Sequence, residues 1–106
     1  MQSTSLDIQA VSEAFKAYAD AKGWGAYHTP KNLAAAVAVE SAELLEIFQW
    51  LTDQQSRDLA AEPEKKQAVA DEIADVFMYL VALSEQLDIS LEAAVTNKIA
   101  SNRQRY

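Results

Sequence analysis

Val69, Ile73, Val76, Leu80 and Leu83 recur at spacings of four, three, four and three, the period of an α-helix packed along its length. The same rhythm governs Leu33, Val37, Glu40, Leu44, Ile47 and Leu51, with an acid at the centre of the stripe. Stripes of this kind leave water only by facing other helices. The composition agrees: half of the 106 residues are apolar, and only 2 Gly and 2 Pro are present. That balance disfavours both disorder and a turn-rich β fold. The length is that of a single domain, residues 1–106.

Punctuation places four helices. The first is predicted from about Leu6 to Lys22, where Thr4 with Asp7 forms a capping-box pattern, Ile8, Val11, Phe15 and Tyr18 form the stripe, and Gly23 is the stop. A loop carrying Trp24 leads to Thr29-Pro30, an N-cap followed by proline at the first helical position. The second helix is predicted to end near Thr52, before a polar stretch containing Pro63. The third runs from about Glu64 to Gln86, and Ser90 caps a fourth that places Leu91, Val95, Lys98 and Asn102 on one face and ends at Tyr106. The expected fold is all-α, a four-helix bundle. Phe48, Trp50 and Phe77 exceed what one small core can bury, so the bundle is expected to be completed by oligomerisation, as a homodimer or homotetramer.

The charge balance narrows the partners. Against 9 basic residues stand 16 acidic ones, a net charge of -7, so no global field recruits a polynucleotide or an anionic membrane. The start MQSTSLD has no leader pattern and the longest apolar run, Leu33 to Val39, is too short to span a bilayer, which predicts a cytoplasmic protein. Zero Cys and a single His remove thiolate and multi-histidine metal sites within one chain. Any metal must be held by oxygen. Lys98, Arg103 and Arg105 stand in the last nine residues, with no acid after Glu92, so the tail can receive a small anion.

The acids carry the chemistry. Glu40 lies inside the second helix's stripe and Glu43 one turn further at its edge. On the third helix, Glu72 sits beside the Val69, Val76, Leu83 line, with Asp75 and Tyr79 following along the same flank. One unpartnered buried carboxylate costs several kcal/mol, and four together also repel. Lys65, Lys66 or Lys98 could neutralise them, or the faces could look into solvent. For two i, i+3 pairs on consecutive helices a hard cation, Mg²⁺ or Mn²⁺, is favoured, because it takes oxygen ligands. A di-iron bundle would need Glu-x-x-His on two helices, which one histidine cannot supply.

Other positions stay open on the residues alone. Lys98, Asn102 and Arg105 project from one helical face, which suits either a phosphate or a solvated turn whose cations complement the helix dipole. Trp24 and Trp50 suit packing, although either ring could stack on a nucleobase. His28 reads first as a loop or capping residue, and Glu46 continues the Glu43 direction less well.

Four segments carry a family likeness: WGAYHTPKNL at 24–33, ESAELLEIFQW at 40–50, DEIADVFMYL at 71–80 and NKIASNRQRY at 97–106. In this order they resemble the MazG-type, all-α nucleoside triphosphate pyrophosphohydrolases, most of all the branch acting on dCTP. The resemblance implies Mg²⁺ ligands at Glu40, Glu43, Glu72 and Asp75. It also implies phosphate and sugar contacts at Tyr79, Lys98, Asn102 and Arg105, base contacts at Trp24, His28 and Trp50, and a site shared with a neighbouring subunit. The expected reaction is Mg²⁺-dependent hydrolysis of a deoxynucleoside triphosphate to monophosphate and pyrophosphate. Glu43 would orient or deprotonate the water, and Lys98 and Arg105 would take up charge on the leaving group. The rival readings are a pyrophosphohydrolase for dUTP or phosphoribosyl-ATP, and a catalytically silent helical oligomer that binds a nucleotide or a protein.

Overall fold

The computed structural model describes residues 5–105, and among these it holds five α-helices and no strand. Helix α1 (Ile8–Ala21) opens on Asp7, whose carboxylate accepts from the Ala10 N–H at 3.2 Å. The cap is thus Asp7 itself, and the helix starts later than the expected Leu6; Thr4 lies outside the described residues. The helix closes where Gly23 takes φ +74 and the Trp24 N–H reaches back to the Ala19 carbonyl at 2.8 Å, a left-handed termination that glycine adopts without a Cβ penalty.

After a 3-10 turn at Gly25–Tyr27, helix α2 (Pro30–Phe48) starts as expected, with Thr29 Oγ1 accepting from the Asn32 N–H at 3.2 Å. It stops at Phe48, short of the expected Thr52. The reason is local: Thr52 is extended and forms a reciprocal capping box with Gln55, the two bonds being 3.1 and 2.9 Å. That box starts α3 (Asp53–Asp58), a short helix inside what the sequence suggested was only a polar stretch. A second 3-10 turn, Leu59–Ala61, buries Leu59 and leads into α4 (Pro63–Gln86). The left-handed Asp88 (φ 54) and a 2.8 Å bond from the Ile89 N–H to the Ser84 carbonyl close that helix. Ser90 Oγ then accepts from the Ala93 N–H at 3.2 Å and opens α5 (Leu91–Arg105).

Helix α4 is the shared wall of the fold, packed against α2 along its length and against α1 on another flank. Leu33 and Val81 are sealed in the centre with Ala19 beside them, and side chains of this size each stabilise by roughly 1.5–3 kcal/mol when fully buried. The core of one chain is therefore built by three of the four expected long helices. Helix α5 makes only sparse contact with the others, and its Val95 and Ile99 are half exposed. Ile73, expected on the inward stripe of α4, is 54% exposed, because α1 and α2 together cover less of α4 than its apolar residues occupy. No helix among the described residues is long and apolar enough to cross a membrane.

Candidate active site

The antiparallel pairing of α2 with α4 brings the acids together. One carboxylate oxygen from each of Glu40, Glu43 and Glu72 lies within 4.8 Å of the others. Glu40 and Glu72 are half-buried and Glu43 is exposed at the edge of the group. Glu40 Oε2 and Glu72 Oε2 are buried without a hydrogen-bond partner, an arrangement that is costly unless something positive meets them. Burial pushes the Glu40 carboxyl up from 4.5 to about 7, and its acidic neighbours Glu43, Glu72 and Asp75 push the same way. The Glu72 carboxyl is also raised, first by burial and then by the charges of Glu43 and Asp75, against a lowering by its contact with Glu40.

Of the lysines that could have neutralised this group, Lys65 is paired instead with Glu62 at 3.3 Å, as neighbours on the first turn of α4. Burial and the acidic neighbours Glu43, Glu72 and Asp75 all raise the Glu40 pKa. The donor set is entirely hard oxygen, and two of its atoms want a partner. A divalent cation fits such a group.

Asp75 stands beside the cluster. Its charge acts on Glu40, Glu72 and Tyr79, and it lines a cleft of about 510 Å³ shared with Glu40, Tyr79, Met78, Trp24, Val11, Ala14, Phe15 and Tyr18. Burial raises the Tyr79 hydroxyl above its usual range, with Glu40 and Asp75 next in effect; it stays protonated and can donate a hydrogen bond. The wall is aromatic: Phe15 meets the edge of Tyr79 at 5.3 Å and stacks on His28 at 5.6 Å, and Tyr18 meets Trp24 edge-on at 5.5 Å. His28 lies 6.2 Å from Trp24 and 6.3 Å from Tyr79, so it bridges the loop to α4.

Glu40, Asp75, Tyr79 and Trp24 thus share one cleft, with Glu43 and Glu72 grouped around Glu40 and His28 behind the aromatic wall. The structure adds Phe15, Tyr18 and Met78 to it. Phe15 and Tyr18 looked like core residues of the first stripe; the only signal for another role was that a tyrosine closes that stripe. Trp50 is 86% exposed past the end of α2 and does not line the cleft. Lys98, Asn102 and Arg105 sit on α5 and do not line it either. A second cleft of about 400 Å³, bounded by Ser12, Lys16, Asp20 and Glu85, contains none of the four acids.

Residues 35–106, which carry the whole acid cluster, match the MazG-like family. The chain belongs to that family. A solved pyrophosphatase from Archaeoglobus fulgidus DSM 4304 superposes with a TM-score of 0.83 at 36% identity, covering 100% of this chain and 97% of that one. Over 103 residues, 97% of the chain, it is 39% identical to dCTP pyrophosphatase 1 of Rattus norvegicus and 38% identical to that of Homo sapiens. It spans 59% of the length of those two proteins. Membership in the MazG-like family accounts for the helical fold.

Proposed function

We propose that this MazG-like chain hydrolyses deoxynucleoside triphosphates, dCTP foremost, to the monophosphate and pyrophosphate with Mg²⁺, or Mn²⁺ in its place. The observation that carries the reading is the pair of buried, unpartnered oxygens of Glu40 and Glu72 within the three-glutamate cluster, opening on an aromatic cleft sized for a small ligand. The names of the relatives supply the substrate class. Glu40, Glu43 and Glu72 would hold the cation, with Asp75 completing the set. When bound, the cation supplies charge neutralisation for the triphosphate and Lewis acidity for the displacement.

The chain's own residues do the rest. Glu43 is the exposed member of the cluster, so it meets water and orients or deprotonates the attacking molecule. Trp24, with Phe15 and Tyr18 beside it and His28 packed behind, gives the base an aromatic face. Tyr79 donates its hydroxyl hydrogen bond to the sugar or phosphate. Lys98, Asn102 and Arg105 bind the phosphates, and the two cations take up charge as pyrophosphate leaves. Because α5 and Trp50 stand away from the cleft of their own chain, they serve the site in a homodimer or homotetramer whose subunits share it. The exposed Ile73, Leu80, Val95 and Ile99 are the apolar surface such an assembly would cover.

Turnover of the common dNTPs and NTPs, each with Mg²⁺ and with EDTA, tests the proposal. Pyrophosphate release from dCTP with Mg²⁺ and none with EDTA is expected; binding without turnover of any nucleotide would refute it.

A further inference from the structure

The loop between α1 and α2 carries Trp24, which lines the aromatic wall, and His28, whose ring packs behind it, and its α1 side is well fastened. The Trp24 N–H bonds the Ala19 carbonyl at 2.8 Å, the Tyr27 N–H bonds the Trp24 carbonyl at 2.9 Å, and the His28 N–H bonds the Gly25 carbonyl at 3.2 Å. Gly25 approaches Asp20 so closely that a Cβ there would lie 2.9 Å from its Oδ1. On the α2 side the fastening is a side chain: Asn32 Nδ2 donates to the Tyr27 carbonyl at 2.8 Å. That bond fixes the residue immediately before His28, whose ring then stacks on Phe15 and faces Trp24 and Tyr79.

The chemistry of this bond is specific. Asn32 is the third residue of α2, and its backbone N–H is already satisfied by Thr29 Oγ1. In a capping box the side chain at this position accepts from the N-cap N–H; here it donates to a carbonyl two residues before the cap. An aspartate would suit the helix N-terminus as well or better, because negative charge is favoured there. It would have no donor for Tyr27, and would set two acceptors against each other.

We propose that Asn32 is a positioning residue: its amide holds the Trp24–His28 loop in the shape that forms the base-binding side of the cleft. The proposal rests on the reading of that cleft as a nucleotide site, and its effect is on substrate binding rather than on the chemical step.

The test compares Asn32→Asp and Asn32→Ala. Loop position is read by acrylamide quenching of Trp24 in a Trp50→Phe background, and function by steady-state kinetics on dCTP with Trp50 intact. Both variants should fold, Asn32→Asp melting no lower than the parent, and both should leave Trp24 more open to quenching. Losing one such bond should raise KM about three- to ten-fold in both, with kcat changed by less than about two-fold. Unchanged quenching in both variants would overturn the positioning role. A KM raised by the aspartate alone would assign the effect to added charge and overturn it too, as would increased quenching with KM unmoved. If the parent protein turns over no nucleotide, the functional reading has failed, and quenching alone then decides whether Asn32 holds the loop.

Discussion

Replacing Glu40 by glutamine should make the metal-free protein more stable at pH 8 and leave it unchanged near pH 4.5. The Glu40 carboxyl titrates at about 7 in the fold against 4.5 for the free group. A carboxyl whose pKa is raised on folding costs nothing while it is protonated in both states, below about 4.5. Its penalty grows as the pH rises toward 7 and is complete above it. At about 1.4 kcal/mol per pH unit the full shift corresponds to about 3.5 kcal/mol; Glu40 is only half-buried and shares its repulsion with Glu43, Glu72 and Asp75, so about 1–2 kcal/mol is the working figure. For a domain of this size that is a rise in Tm on the order of 5–10 °C. The glutamine amide can also donate to the orphaned Glu72 Oε2. Thermal melts of both proteins at pH 4.5 and 8, with EDTA and with millimolar Mg²⁺, provide the assay. Mg²⁺ should raise the Tm of the parent at pH 8 and have little effect on the variant. A stability difference independent of pH, or equal Mg²⁺ protection of both proteins, would refute the reasoning.

Three further outcomes follow from the same geometry. Glu43→Gln should lower kcat about 100-fold or more while the fold is retained, and a variant keeping most of its kcat would remove Glu43 from the chemistry. Trp24→Ala should raise KM for dCTP by the equivalent of about 1–3 kcal/mol with kcat less affected, whereas Lys98→Ala and Arg105→Ala should lower kcat; kinetics on dCTP and dATP separate the two patterns, and unchanged base discrimination in the tryptophan variant would end the stacking role. Sedimentation at micromolar concentration should show a dimer or tetramer, and an active monomer would refute the shared site.

The long helices were legible because burial imposes a period that Leu33, Val37 and Leu44 or Val69, Val76 and Leu83 display without help from the fold. Glu40 and Glu72 were legible for the converse reason: an acid in or beside such a stripe breaks the pattern that burial requires. Helix α3 carries no stripe, since its six polar residues are held by caps rather than by burial; its one signal in the sequence is the Thr52–Gln55 capping box, the same kind of pattern that Thr4 and Asp7 present. Phe15 and Tyr18 could not be recognised as cleft walls, because a residue lining a cleft repeats with the same period as one sealed in a core. Nor does a stripe say what covers it: Val95 and Lys98 share a face of α5, yet that helix stands away from its own bundle. Lys98, Asn102 and Arg105 share one face of α5 and Trp50 offers a ring, patterns that suit a ligand or a plain surface alike, and they do not line the cleft of their own chain.

Phosphorus-31 NMR of dCTP incubated with the protein tests the central claim most directly. The account predicts dCMP and pyrophosphate in equal amounts with Mg²⁺, and intact dCTP with EDTA or with Glu43→Gln. Release of orthophosphate with dCDP, or turnover that persists in EDTA, would contradict it.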